Sequence, residues 1–414
     1  MISKNYEKVH SYIQELMKKI QVPAQGVFKY PSLRTTAGQF YSASIFIWDT
    51  HHMTLRFAME KKPEQMKYFL LNMLQFQRTT GFLSCCANST NGASYTSGFH
   101  AQPFLAQNAA EYLAYTNDKK TIQTIFDKLD AYLKFWLTSA AAPFGLFRWQ
   151  ETWMSGFDNE ITGTIFPPDT ILPPDLPSLL YLECRSMAYL SRALGKDGSE
   201  YDKKADDIKN AINEYLWDEE MGIYSALNLT SMKPQTSWSD GNLTSNIGRY
   251  AYVSCPSFLT LFSGTATKER AERMIKKYIL SPEHFRSRFG IRSLSKSSEY
   301  YNNARWGNPP RFGDHRRLTN SNWQGPVWIP LVWFVFHGLL RFGFRNEAES
   351  LANDTIDLIS NVLDRIGSMS ENFDAETGKE LYADNFASWN LLADAMPWYF
   401  NEKTPLQLFP WENE

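Results

Sequence analysis

An all-α toroid, with inner helices ringed by outer ones, is the fold this 414-residue sequence predicts. Three observations carry it. Apolar residues recur at three- and four-residue spacing along most of the chain. The candidate helices come in pairs joined by tight links at 117–118, 195–198 and 343–346. No Pro-, Gly- or Ser-rich linker divides the sequence, so a single domain over 1–414 is expected. About twelve helices fit the pattern, enough for an inner and an outer ring. A helical solenoid shares the periodicity, but no repeat signature recurs at a fixed period.

The elements follow in order. Helices are expected near 3–20, 48–60, 63–77 and 103–116. The stretch 118–137 puts Ile122, Ile125, Phe126, Leu129, Leu133 and Trp136 on one face. Along 175–194 the face is Leu176, Leu180, Met187, Leu190 and Leu194, closed by Gly195, a residue type suited to the left-handed position after a helix. Ser199 is an N-cap for 199–217, whose face is Tyr201, Ala205, Ile208, Ile212 and Tyr215. Further helices are expected at 247–262, 266–279, 325–342, 346–363 and 384–399. Strand signals are short, at 145–149 and 222–227, and two connections, 140–173 and 281–322, are long. Loops of that length in a compact domain are usually functional.

Composition narrows the function. The 42 Lys+Arg nearly balance the 44 Asp+Glu, for a net charge of −2. A nucleic-acid binder normally carries a basic excess or face, so no nucleic-acid partner is expected. Hydrophobic residues at 43% argue against disorder. No apolar run is long enough to span a membrane; the longest, Pro326–Leu340, is interrupted by His337 and Gly338. The charged N-terminal stretch lacks the apolar centre of a signal peptide. Cys85, Cys86, Cys184 and Cys255 show no metal or disulfide spacing and read as thiols of a reducing cytoplasm. The 13 Trp, 21 Tyr and 28 Phe are a surplus that points to a large core, a stacking surface, or both.

Acids and tryptophans concentrate in four segments: 46–52, 148–159, 322–328 and 369–378. That is the equipment of a sugar site. Aromatic faces cover the C–H faces of a pyranose, and carboxylates and amides bind its hydroxyls. Cleaving a glycosidic bond takes two carboxyl groups flanking it, one kept protonated near neutrality by burial. Asp158, between Phe157 and Asn159 and close to Trp149 and Trp153, suits that acid. Glu371 opens a different turn-rich loop, with Asp374 and Glu376 as equal rivals on spacing alone. An Asp in a Gly-containing loop is more often a turn former, and Trp48, Trp328 and Trp389 are more often core.

In their order and spacing the four segments resemble the catalytic domain of glycoside hydrolase family 63. They are especially similar to its single-domain mannosylglycerate and glucosylglycerate hydrolases. The family's Trp-Asp block corresponds to Trp48-Asp49, and its Ser-Gly-x-Asp-Asn block to Ser155, Gly156, Phe157, Asp158 and Asn159. Its Trp-Arg-Gly-Pro block corresponds to Trp323, Gln324, Gly325 and Pro326, and its last block to Glu371, Asn372, Phe373, Thr377 and Gly378. The resemblance implies an (α/α)6 barrel and an inverting mechanism, with Asp158 as general acid and Glu371 as general base. It places Asp49 on sugar hydroxyls, with Trp48, Gln102, Trp153, Gly156, Asn159, Trp323, Gly325, Trp328 and Trp389 around the substrate. Gln324 joins that group but departs from the commoner Arg, which leaves its role open. No metal or cofactor is implied.

The expected partner is a small carbohydrate, with the aglycone, the −1 sugar and the oligomeric state left open. Between 286 and 322, Arg286, Arg288, Arg292, Lys296, Arg305, Arg311, Arg316 and Arg317 face only Glu299 and Asp314. This segment reads either as a solvated loop or as a grip on an anionic aglycone such as glycerate, with Tyr300, Tyr301 and Trp306 as a lid. Arg suits a carboxylate because its planar fork donates two hydrogen bonds. Rival functions are a trehalase-like α-glucosidase, a sugar isomerase or epimerase using His52 and His100, and a non-catalytic sugar binder. His337, on an apolar stretch, reads as core.

Overall fold

The computed structural model describes residues 2–39, 41, 44–92, 102–237, 249–306, 321–401 and 408–414, the side chains of 152 and 153 excepted. Helix dominates. In chain order the α-helices are α1 (Tyr6–Lys19), α2 (Ile47–Met59), α3 (Glu64–Leu74), α4 (Leu105–Thr116) and α5 (Lys119–Ser139). Then come α6 (Ile161–Ile165), α7 (Asp175–Ala193), α8 (Ser199–Tyr215), α9 (Leu259–Ser263) and α10 (Lys268–Met274). The last are α11 (Ile329–Arg341) and α12 (Arg345–Ile366). The chain forms two compact units. One comprises Met1–Ser139, Leu179–Asp207 and Ala383–Glu414; the other comprises Ala140–Ser178 and Ile208–Tyr382.

In the first unit α2 packs against α3, against α4 and against the 3-10 helix Ser388–Leu392. Nearly every residue of α2 is buried, including His51, His52 and Arg56. A helix buried all round must satisfy its polar side chains internally. Arg56 does so with Asp394, through bonds of 2.7 and 2.8 Å. His10, on α1, reaches the same carboxylate at 2.7 Å. The tight link predicted between α4 and α5 turns at Asn117, which adopts a left-handed φ of 55°. Asp118 then caps α5 by accepting the Thr121 N–H at 3.0 Å.

In the second unit α11 is apolar on all sides and packs against α9 and α12. Short antiparallel pairings tie the long connections together. Ile171–Leu172, Leu227–Asn228 and Lys233–Pro234 make a three-stranded sheet. Single bridges link Arg292 to Val327, Val327 to Phe373, and Phe373 to Glu380.

Several expected elements differ. The helix expected at 384–399 is two 3-10 helices, Ser388–Leu392 and Met396–Phe400. The Ala387 and Ser388 N–H groups both donate to Thr35 O at 3.0 Å, which takes them out of a helical ladder. Asn385 and Ser388 also hold positive φ, and Pro397 removes a donor. Of the helix expected at 247–262, only α9 and the 3-10 helix Cys255–Phe258 form, with Pro256 inside that turn. Helix α11 starts at Ile329 because Trp328 is extended. At 145–149 the strand reduces to one bridge, Ala141 to Phe147, closing a turn at Pro143–Gly145.

Candidate active site

Asp158 sits just beyond the 3-10 turn Thr152–Ser155. Gly156 makes the bend with φ 76°, a left-handed conformation that a side chain disfavours, and Ser155 Oγ accepts the Phe157 N–H at 3.0 Å. Phe157 turns inward against Trp323, ring centroids 4.8 Å apart. Asp158 is half-buried. Its Oδ2 accepts the Ser321 hydroxyl at 2.6 Å, its one hydrogen bond among the described residues. Burial pushes the carboxyl up to about 6, against the lowering effect of Ser321.

Asn159 is fully buried and stitches this loop to the next. Its Oδ1 accepts the Trp323 N–H at 2.6 Å, and its backbone oxygen accepts Gln324 Nε2 at 2.9 Å. Gln324 Oε1 in turn faces Asn302 Nδ2 at 3.4 Å. The side chain at this position is therefore a buried tie between loops. Gly325 is required by a close approach: a Cβ there would lie 2.1 Å from Asn302 O. Trp323 and Trp328 stack on each other at 4.1 Å, 2% and 1% exposed. They form a buried floor under the loop, with Trp328 Nε1 on Asn322 O at 2.9 Å.

Glu371 lies in the loop after α12, 5% exposed. Paired bonds between Val327 and Phe373, 2.8 and 3.0 Å, lay its loop beside the Trp323–Trp328 segment. Its two rivals are occupied. Asp374 Oδ1 accepts the Glu376 and Thr377 N–H groups at 2.8 and 2.9 Å, which makes it a turn former. Glu376 accepts Lys296 at 2.7 Å, Tyr301 at 2.6 Å and Arg292 at 2.9 Å. Burial opposes its ionisation, yet these hydrogen bonds hold its carboxyl down at about 2. So two bases of the basic segment are spent on Glu376, and Arg286 pairs with Asp354. Arg305 lies over Trp306 and Tyr382, and neither Arg288 nor Arg305 forms an ion pair among the described residues. Arg311, Arg316 and Arg317 lie outside the described residues.

In the first unit Trp48 and Asp49 open α2. Asp49 Oδ1 accepts the Ser388 hydroxyl at 2.6 Å, which the 3-10 turn delivers. Trp48 meets Trp389 and Phe104 edge-on, at 6.3 and 6.2 Å. Gln102 is 2% exposed, ahead of α4. The Trp153 side chain and His100 lie outside the described residues. His52 is buried, which lowers its pKa to about 4, and burial also holds His51 beside it well below the usual imidazole value. His337 is core, as expected, with burial holding it at about 3.

Sequence reasoning gave no role to four residues, although Asn322 opens the segment 322–328. Ser321 and Asn322 precede Trp323 directly, a position that signals them only once the loop pairing is known. Glu160 caps α6, accepting the Thr162 and Gly163 N–H groups at 3.0 and 3.1 Å and the Ser254 hydroxyl. Asp175, at the start of α7, accepts Trp149 Nε1 on both oxygens at 3.1 Å, and burial raises it to about 7.

Residues 43–389 match the family described as the mannosylglycerate hydrolase MGH1-like glycoside hydrolase domain. A mannosylglycerate hydrolase of Rubrobacter radiotolerans is 30% identical over 225 residues, 53% of this chain and 42% of that protein. A cytosolic neutral trehalase of Kluyveromyces lactis is 27% identical over 219 residues, 50% of this chain and 25% of that protein. The chain thus spans less than half the length of these relatives. Among solved structures, the GH63 mannosylglycerate hydrolase of Thermus thermophilus in complex with glucose matches with a TM-score of 0.70. That match is at 19% identity and covers 94% of this chain and 100% of that one. Neutral trehalase Nth1 of Saccharomyces cerevisiae matches with a TM-score of 0.67 at 16% identity, over 93% and 78%. These likenesses show the fold, the all-α (α/α)6 barrel class.

Proposed function

The chain belongs to the mannosylglycerate hydrolase MGH1-like glycoside hydrolase family, and we propose that it is an inverting α-glycosidase with Asp158 as general acid and Glu371 as general base. The observation that carries this is the state of Asp158. Its pKa is raised to about 6, one oxygen is held by Ser321 and the group stays half-buried, so it can be reached. A general acid works best with a pKa near the working pH. In the proposed reaction Asp158 protonates the glycosidic oxygen as the bond breaks. Glu371 deprotonates a water that attacks the opposite face, which calls for carboxyls ~6.5–9.5 Å apart. Asp49, with Trp48, Gln102 and Trp389, binds the sugar. The whole chain, 1–414, acts as one catalytic domain. Buried thiols at Cys85, Cys86, Cys184 and Cys255, with no disulfide between them, favour a cytoplasmic setting.

The proposed substrate is glucosylglycerate or mannosylglycerate. A relative named mannosylglycerate hydrolase supports it, as does Arg305, a cation over Trp306 and Tyr382 that holds no acid among the described residues. Relatives named trehalases support a second reading, a neutral disaccharide. The isomerase reading loses support because His51 and His52 are buried and held neutral. The test is a panel of glucosylglycerate, mannosylglycerate, trehalose and α-linked glucobioses, with proton NMR of the first-formed anomer. From the glycerate-linked substrates, release of the β-anomer supports inversion, and from trehalose an equal first yield of α- and β-glucose does; α-anomer alone, or no sugar release at all, defeats the proposal.

A further inference from the structure

Asp158 and Ser321 are 163 positions apart in sequence, yet three neighbouring ties keep them in register. Trp323 N and Gln324 Nε2 both bond Asn159, and Asn159 Nδ2 reaches Asn322 Oδ1 at 3.3 Å. Asn322 is itself anchored, donating to Asn302 Oδ1 at 2.8 Å and Ala304 O at 2.9 Å. Ser321 is 4% exposed, so its hydroxyl is held where it is, and the bond to Oδ2 is 2.6 Å long. Among the described residues Oδ1 of Asp158 has no hydrogen-bond partner.

We propose that Ser321 is a positioning residue for the proton transfer: its hydroxyl occupies Oδ2 of Asp158 and leaves the transferable proton on Oδ1, facing the substrate. This rests on the reading of Asp158 as general acid. A hydroxyl donating to Oδ2 disfavours a proton there, because the two hydrogens would meet. The step balances simply. The Oδ1–H bond breaks and the proton goes to the glycosidic oxygen, while the anomeric C–O electron pair stays with that leaving oxygen. Negative charge grows on Asp158 meanwhile, and a hydrogen bond to a charged acceptor is stronger than one to a neutral acid. The Ser321 bond therefore tightens toward the transition state, which is where an interaction accelerates a reaction.

The test compares wild type with Ser321→Ala, Ser321→Thr and Asp158→Asn over pH 4–9. The substrates are mannosylglycerate, glucosylglycerate, and the α-glucosyl and α-mannosyl fluorides, whose leaving group needs little protonation. Ser321→Ala is expected to lower kcat on the glycoside about tenfold, with KM changed less than about twofold, as loss of part of a general-acid effect. Its alkaline limb moves to higher pH, because the carboxylate has lost a donor. Fluoride hydrolysis stays within about threefold, and Ser321→Thr restores both kcat and the limb. A Ser321→Ala profile that overlays the wild type overturns the inference, as does equal loss on fluoride and glycoside. Should that variant fail to unfold cooperatively, Ser321→Cys takes its place, and its weaker donor should give an intermediate shift. Asp158→Asn that still turns over the glycoside defeats the underlying reading. An inactive Asp158→Asn beside an unaltered Ser321→Ala defeats this inference alone.

Discussion

At the scale of single residues, the proposed role requires Asp158 to be an acid strong enough to give its proton and weak enough to hold it near neutrality. Burial raises its pKa and Ser321 trims the rise. Asp158→Asn keeps the shape and removes the proton, so kcat on an unactivated glycoside should fall about 10²–10⁴-fold. Glu371→Gln should fall by a similar factor, because a neutral amide cannot take a proton from water. Either variant retaining a tenth of wild-type turnover at matched pH would remove its residue from the mechanism. The wild-type kcat/KM should decline as pH rises through about 6, where Asp158 loses its proton. Both proposed carboxylates stand out in the sequence, since each lies in a short block of polar and aromatic residues. Spacing alone leaves Glu371, Asp374 and Glu376 equal, and the resemblance singles out Glu371; the structure adds that Arg292, Lys296 and Tyr301 bind Glu376. Ser321 carried no local signal, for its partner is 163 positions away.

At the scale of elements, the loop bearing Glu371 is held from both sides, by the Val327–Phe373 bridge and by the Glu376 cluster. Arg292 is 5% exposed on its side chain while Glu376 is 37% exposed, so water screens one end of the pair. Glu376→Gln should leave a buried guanidinium with weaker acceptors, costing about 1–3 kcal/mol, below the full penalty of a wholly buried pair. Urea unfolding measures it, and a midpoint unchanged from wild type would reduce the cluster to decoration. The basic segment yields a separate expectation. Of its described members, Arg286, Arg292 and Lys296 already hold acids, while Arg288 and Arg305 hold none among the described residues; Arg305, over Trp306 and Tyr382, is the one proposed for an anionic aglycone. Arg305→Ala should raise KM for a glycerate-linked substrate about tenfold, the usual order for one charged hydrogen bond, and leave a neutral disaccharide unaffected. Equal effects on both would fail it. Element reading from sequence succeeded where one apolar face repeated over several turns, as in α5, α8 and α12. It failed at 384–399, whose apolar residues follow helical spacing while its N–H groups are drawn to Thr35 O. Periodicity reports where side chains want to go; it is silent on which distant carbonyl a backbone donor finds.

At the scale of the molecule, the all-α class was legible because burial imposes a period on the sequence, but the charges inside the fold were not. A core this rich in aromatics also encloses carboxylates and imidazoles, and their shifts oppose one another in pH. Burial raises Asp158 to about 6, Asp175 and Glu183 to about 7, and Glu111 well above its usual value. Each raised carboxyl stabilises the fold below its unfolded pKa, and that contribution is lost as pH climbs to the folded value. Burial lowers His52 to about 4 and His337 to about 3, with His51 also well down. Each lowered imidazole favours the fold above pH ~6.5, and that contribution is lost as pH falls. Burial also works against ionised Asp394, but Arg56 and His10 hold its pKa below the usual range. Glu376 is held at about 2, so both give stability that is lost as pH drops below ~4. Between pH ~4.5 and ~6, folding takes up protons at the carboxyls and releases them at the histidines, so the two slopes nearly cancel. Below ~4.5 the histidines and the depressed acids act together, and stability should fall steeply. Above ~6.5 the histidines are neutral in both states, and only the raised carboxyls remain, so stability should decline again, more gently. Thermal unfolding from pH 3 to 8 should therefore trace a plateau with two unequal shoulders. A Tm that keeps climbing from pH 6 to 8 would mean that Glu111, Glu183 and Asp175 are already ionised within the fold despite their burial.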